Sequence, residues 1–277
     1  MSHRSSNGIS DRDRAPTQPS HGRTSAVGRR GTNLGQVLLL VVDTATEACI
    51  AAVCRVRPPG ETVDGRADAG ADVTVLASRA PIDARRHGEL LAPLITQVLD
   101  EAGVGTGDLD GVVAGVGPGP FTSLRVGVVT AASVAHALGL RAVGVCSLDA
   151  IPDADASQDV VVVTDARRRE VYWARYRDGA RTEGPDVARP ADLLARLGGD
   201  EVVVGSAAHL TPELAERALP DLPRYPRPGA LAQLARAAML AAEPPGPLVP
   251  LYLRRPDATP PAAARPPETV PPTGATL

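Results

Sequence analysis

Apolar and polar positions alternate along this chain in blocks that read as strands and helices. Val37–Val42 is a continuous apolar run with a β-branched end, the mark of a buried strand. It stops at Asp43, a polar turn Thr-Ala-Thr-Glu follows, and 48–56 reads as a second strand, so the pair predicts a hairpin. Residues 57–71 are rich in Pro, Gly and Asp and predict a surface loop, and 73–78 a third strand. Over 85–103, Leu90, Leu91, Leu94, Ile95, Val98, Leu99 and Ala102 recur at helical spacing, and Gly103 is a natural stop. A strand at 111–116, a Gly/Pro loop, a helix over 122–138 and a strand at 141–145 follow. On that second helix Leu124, Val128, Ala131, Ala135 and Leu138 share a face.

The pattern then restarts. The run 159–164 is apolar, ends on Asp165, turns through Ala-Arg-Arg-Arg and re-enters a strand at 170–176. Helical segments at 191–197, 212–218 and 231–242 and a strand at 201–204 complete it. Two half-repeats, each a strand–Asp–strand hairpin followed by mixed helices and strands, predict two similar α/β lobes.

The ends differ from the body. Residues 1–36 carry six Arg against two Asp among Ser and Gly, and 256–277 hold seven Pro in 22 positions. Both compositions predict disordered tails. The expected organisation is therefore a tail at 1–36, an N-terminal lobe at 37–148, a C-terminal lobe at 149–255 and a Pro-rich tail at 256–277. Removing the first tail leaves an acidic body, since the whole chain has a net charge of −3.

Composition excludes several chemistries. All 29 basic residues are arginine. Without lysine the chain has no P-loop lysine, no protein-kinase strand lysine and no Schiff-base amine. Aromatic residues are only 2%, so base-stacking platforms are not expected and the core must be Ala, Val and Leu. Cys49, Cys54 and Cys146 are odd in number and irregular in spacing, which fits neither a disulfide framework nor a zinc site. The apolar run Val37–Val42 is too short to span a membrane, and no signal-peptide core stands near the start.

The candidate chemistry lies in three places. Gly117, Pro118, Gly119, Phe121, Thr122 and Ser123 join a strand to a helix, where glycines let amides approach an anion and Thr122 or Ser123 can cap the helix. Its plain alternative is a rigid turn. Asp43 and Asp165 end equivalent strands, the place where open α/β sheets hold ligands, and are candidates to face a metal-bound nucleotide. They are equally turn aspartates bonding nearby amides. The helix 85–103 opens on His87 and carries apolar residues on nearly adjacent faces, more than one core contact requires. No HExxH and no GxSxG occurs.

Four segments, LLLVVDTATEACIAAV (38–53), RRHGELLAPLITQVLDEAG (85–103), GVVAGVGPGPFTSLRVGVVTAASVAHALGLRAVGVCSLDAI (111–151) and VVVTDARRREVYWARY (161–176), together with LYLR (251–254), resemble the TsaB (YeaZ) family in order. The resemblance spans nearly all of 38–255, and its most specific part is the Gly-Pro-Gly helix segment. It implies an actin-like fold of two duplicated α/β lobes. It also implies a cytoplasmic, noncatalytic subunit that supports TsaD in making threonylcarbamoyladenosine next to the anticodon of ANN-decoding tRNAs. The partners implied are TsaD through the N-terminal lobe, the ATPase TsaE, and a homodimer where TsaD is absent. TsaC supplies the adenylate, tRNA contact is indirect, and ATP or ADP belongs at the complex interface rather than bound firmly here. TsaD carries an HxxxH metal motif after the equivalent strand; here those two positions are Ser147 and Ile151, which cannot form a metal site. The chain departs from the family where Pro120 replaces Ser, Ser123 replaces Gly, and His87-Gly88 replaces His-Ser; Pro120 removes an amide donor from the loop. The partner interface expected from the resemblance and helical spacing is His87, Leu90, Leu91, Leu94 and Val98, supported by Arg125 and Val128. On that reading Leu94→Asp abolishes association and spares the fold. The competing reading is a free-standing actin-like ATPase or small-molecule kinase using Asp43 for a metal and Asp165 as base or ligand.

Overall fold

The computed structural model describes residues 36–58, 72–152, 159–219, 223–242 and 245–254. The expected tails and most of the 57–71 loop lie outside the described residues.

The first sheet has strand order β3-β2-β1-β4-β5, built from β1 (Val37–Asp43), β2 (Ile50–Val56), β3 (Val73–Arg79), β4 (Gly111–Gly115) and β5 (Arg141–Val145). The second has order β8-β7-β6-β9, from β6 (Val160–Asp165), β7 (Val171–Arg177), β8 (Ala180–Ala188) and β9 (Val202–Val204). In each, the strand ending on Asp pairs antiparallel with the next strand and parallel with a later one: β1 with β2 and β4, β6 with β7 and β9. The half-repeat seen in the sequence is thus a repeat of strand order.

Helix α1 (His87–Ala102) and helix α2 (Phe121–Leu138) cover one face of the first sheet, where Leu91, Leu94, Val98, Leu99, Ala131 and Ala135 pack on Leu40, Val42, Ala51 and Val53. Both helices end on glycines in the left-handed region, Gly103 and Gly139. By length and composition α2 is apolar enough to cross a membrane, but Leu124, Gly127, Val128, Ala131 and Ala135 face the protein core. The second sheet carries the short helices α3 (Pro190–Leu194) and α4 (Pro212–Ala215), with Leu193 and Leu214 beside Trp173.

Two features were not legible in the pattern. Strand β8 is an edge strand whose residues are mostly exposed, so it lacks apolar alternation and contains Gly184-Pro185. Helix α5 (Pro228–Leu240) comes from the second half, yet Leu231, Ala232, Ala235 and Met239 cover the other face of the first sheet, on Leu39, Val41, Ala52, Cys54 and Val113. The first sheet ends at Val145 and the second begins at Val160, and α5 is the described helix that returns across that break.

Candidate functional site

The end of β1 is tied down residue by residue. Asp43 is fully buried; its Oδ1 accepts the Ala45 N–H at 2.8 Å and its Oδ2 accepts the Ser147 hydroxyl at 2.6 Å. Ser147 begins a short 3₁₀ turn after β5, and its Oγ accepts the Gly117 N–H at 3.2 Å while its own N–H reaches the Gly117 carbonyl at 2.7 Å. Burial pushes the Asp43 carboxyl from 3.8 up to about 6, against the pull of its two hydrogen bonds. A carboxyl raised on folding binds its proton more tightly in the folded chain. Its contribution to stability is therefore present below about pH 4 and lost as pH rises through about 6. Asp43→Asn, which cannot titrate, should compare worst with the wild type at pH 4 and improve relative to it by pH 7, as read by urea denaturation at both pH values.

The neighbouring Thr44 hydroxyl donates to the Ser123 carbonyl at 2.6 Å and accepts the Gly127 N–H at 2.9 Å. Those two groups are an i, i+4 pair of α2, so the hairpin turn inserts a hydroxyl into the helix ladder. Gly127 is required there, because a Cβ would lie 2.5 Å from Thr44 Oγ1. Ala45 in turn presses on the glycine loop: a Cβ on Gly119 would lie 2.4 Å from the Ala45 carbonyl oxygen. The Gly119 carbonyl accepts the Tyr172 hydroxyl of β7 at 3.4 Å, which links the two sheets through this loop.

The loop is a packing junction, and its chemistry differs from the anion-cradle expectation. The Gly117 N–H is committed to Ser147, and Pro118 and Pro120 have no N–H to offer. The helix begins one residue earlier than predicted, with Pro120 at the cap position and no side-chain cap. Thr122 is exposed, and Ser123 Oγ donates to the Pro120 carbonyl at 3.1 Å instead of capping.

Asp165 sits in an Asx turn, accepting the Arg167 N–H at 2.7 Å and pairing with the Arg167 guanidinium at 3.3 Å. The space where the two hairpins approach is lined by Thr46, Glu47, Ala84, His87, Pro120, Ser123, Asp165 and Arg167, and its volume is about 10 Å³. That is room for about one water molecule and not for a nucleotide. His87 lines it almost fully buried, with Nε2 lacking a protein partner, and burial holds its pKa below the ordinary value. Burial raises the three free thiols, to about 11 for Cys49 and Cys146 and about 12 for Cys54, so none is poised as a nucleophile.

The expected partner residues are placed mostly inward. His87, Leu91, Leu94, Val98 and Val128 are buried, and Leu94 is only 6% exposed. Leu90 is half-buried and Arg125 exposed. The wide apolar stripe of α1 is wide because the helix lies against both the sheet and α2. What α2 shows to solvent is a different stripe, Phe121, Arg125, Val129 and Ala132, with Val129 54% exposed. It borders an open groove of about 740 Å³ whose far wall is Leu140, Pro247, Leu248 and Tyr252. Phe121 stacks against Tyr252 with ring centroids 5.0 Å apart, and Arg125 lies over the Phe121 ring at 5.2 Å.

A family model described as TsaD: tRNA N6-adenosine threonylcarbamoyltransferase matches residues 80–224. An uncharacterized protein of Mycobacterium tuberculosis is 47% identical over 223 residues, covering 80% of this chain and 94% of the relative. The tRNA threonylcarbamoyladenosine biosynthesis protein TsaB of Escherichia coli is 29% identical over 190 residues, covering 64% of this chain and 74% of the relative. The solved structure of YeaZ from Pseudomonas aeruginosa superposes with a TM-score of 0.58 at 27% identity, covering 77% of this chain and all of that one. The chain belongs to the TsaB/YeaZ family. Its two mixed sheets have the actin-like α/β architecture expected from the sequence.

Ser147 and Ile151, the two positions that the resemblance set against the TsaD metal motif, are both committed to the fold. Ser147 is bonded to Asp43 and Gly117, and Ile151 is packed against Leu148, Tyr172 and Tyr176. Among the described residues no group of three or more His, Cys, Asp or Glu is placed to hold a metal ion. The sequence reading missed Thr44 and Gly115, whose Cβ would lie 1.6 Å from Asp43 Oδ2. Their signal was faint: a threonine after a strand-ending aspartate, and a glycine closing a strand that is otherwise apolar.

Proposed function

We propose that this chain is a noncatalytic subunit of the threonylcarbamoyladenosine machinery, binding and supporting TsaD through its N-terminal half. The observation that carries the reading is the committed state of Asp43. Its two oxygens bond to protein groups and no solvent reaches it, and the space lined by the other candidate, Asp165, holds about one water molecule. A metal-nucleotide site needs an ionised, accessible carboxylate at that place. This observation disfavours the free-standing ATPase or kinase. Nucleotide handling then falls to the junction with TsaD and to TsaE, with tRNA reaching the complex chiefly through TsaD, and with self-pairing in the absence of TsaD.

The partner face is the outer stripe of α2 with the groove beside it, rather than the buried positions of α1. Standard interfaces bury about 800 Å² per partner around an apolar or aromatic core. Phe121, Val129, Ala132 and Tyr252 supply such a core. The test is size-exclusion chromatography with light scattering on this chain mixed with TsaD from the same genome. The wild-type chain should co-elute with TsaD, and Val129→Asp should elute alone with an unchanged melting temperature. A Val129→Asp chain that stays fully associated moves the interface elsewhere, and separate elution of the wild type defeats the reading.

A further inference from the structure

The far wall of the groove beside α2 is irregular chain. Residues 245–254 form no helix or strand, so no backbone ladder of their own keeps that wall in place. Side chains set into both halves of the molecule hold it instead. Leu248 and Leu251 pack against the cluster of Ala45, Val116, Leu124 and Val128, at the foot of α2. The Leu251 N–H donates to the Val116 carbonyl at 2.7 Å, and the Tyr252 N–H to the Pro250 carbonyl at 3.1 Å, which makes a three-residue turn about Leu251. Two residues further on, the chain is fixed to the second sheet. Leu253 packs against the cluster that holds Leu148, Ile151, Val162 and Tyr172. The Arg254 guanidinium donates to the Ala166 carbonyl at 2.9 Å and pairs with Glu170 at 3.4 Å. Glu170 is itself fixed, its N–H on the Arg167 carbonyl at 2.9 Å and its carbonyl accepting the Ala166 N–H at 3.0 Å. Between the two anchors stands Tyr252, 42% exposed, which lines the groove and lies against Phe121 with ring centroids 5.0 Å apart.

We propose that Leu253, Arg254 and Glu170 are positioning residues for the partner face, through which the second sheet holds the Tyr252 wall ready for binding. None of the three lines the groove. A wall already in place costs a partner little to engage. Released from its second anchor, it must be ordered at the moment of binding, and each side chain immobilised then lowers affinity. The sheets have other ties, the Tyr172 hydroxyl on the Gly119 carbonyl at 3.4 Å and the return of α5 to the first sheet. Loosening residues 253 and 254 therefore acts on the wall before it acts on the fold. The inference rests on the proposed function, and it gives the second half of the chain a part in binding that the N-terminal half alone leaves unfilled.

The experiment uses the full chain and TsaD from the same genome. Titration calorimetry gives the TsaD affinity of the wild type, Arg254→Ala, Tyr252→Ala and the double variant. Arg254→Ala should bind TsaD about fivefold more weakly, and Tyr252→Ala about tenfold more weakly. The double variant should be no weaker than Tyr252→Ala, because Arg254 acts only through the wall. Glu170→Gln leaves residues 245–254 unchanged and should lower affinity in the same direction; it takes the place of Arg254→Ala if that variant does not fold. Amide exchange of the Leu251 N–H should be faster in free Arg254→Ala than in the free wild type, and equally slow in the two complexes. Wild-type affinity in both Arg254→Ala and Glu170→Gln overturns the proposal while leaving the proposed function standing. So do losses that add in the double variant, which mark a general weakening of the fold, and so does an unchanged Leu251 exchange rate. Failure of the wild-type chain to bind TsaD overturns the proposed function, and this inference with it.

Discussion

Gly115→Ala should be among the most damaging single changes in this protein. The added Cβ would sit 1.6 Å from Asp43 Oδ2, 2.4 Å from Asp43 Cγ and 2.7 Å from Ser147 Oγ. None of these can retreat cheaply. The carboxylate is held by Ala45 on one oxygen and Ser147 on the other, and Ser147 is held by Gly117. Moving it breaks a buried network and strains β4 at its contact with β1. We expect a destabilisation of about 3 kcal/mol or more. For a chain of this size that lowers the melting temperature by roughly 6–12 °C. Calorimetry of the purified variant checks the figure, and an unchanged melting temperature would refute the account. Asp43→Ala with Gly115→Ala should recover part of the loss, since the double variant keeps only the milder approach to Ser147 Oγ at 2.7 Å. That non-additivity is the signature of direct contact rather than two independent injuries.

Leu94→Asp should unfold the protein rather than dissociate it. The sequence reading expected this substitution to abolish association and leave a folded monomer. The structure buries Leu94 at 6% exposure among Leu40, Val53, Leu91 and Val98, so the aspartate would place a carboxylate in an apolar core. The expected loss is about 3–5 kcal/mol, combining the deleted methyl groups with an unpaired polar one. Urea denaturation should show a much lower midpoint, and any loss of complex formation would follow from loss of fold. The contrast with Val129→Asp separates the two mechanisms: one lowers stability, the other removes association alone. A Leu94→Asp chain with wild-type stability would refute the burial argument.

Much of the fold was readable because its signals are local. A run such as Val37–Val42 must be buried, a glycine such as Gly103 ends a helix, and a strand that stops on aspartate twice announces a repeated hairpin. The site was readable only in outline. Periodicity shows that α1 has an apolar face, but not that two neighbours share it, so helical spacing put Leu91, Leu94 and Val98 at an interface when they line a core. The exposed stripe of α2 looked ordinary, because a single Val129 or Phe121 in a helix says nothing about its surroundings. The committed state of Asp43 depends on Ser147, 104 residues away, and no window of sequence holds both. Strand β8 failed for the opposite reason: it joins the sheet through backbone pairing with β7 and polar side chains such as Glu183, and its exposed residues carry no apolar pattern.

The return of α5 to the first sheet has a consequence for biogenesis. As the chain leaves the ribosome, β1 to β5 are complete by Val145, with α1 and α2 ready to cover one side. The opposite side, with Leu39, Val41, Ala52, Cys54 and Val113, gains its cover only when Leu231 to Met239 emerge. For the time needed to synthesise about ninety residues, several seconds at ordinary elongation rates, a finished sheet carries a bare apolar face. The nascent chain is a natural client for chaperones over that interval.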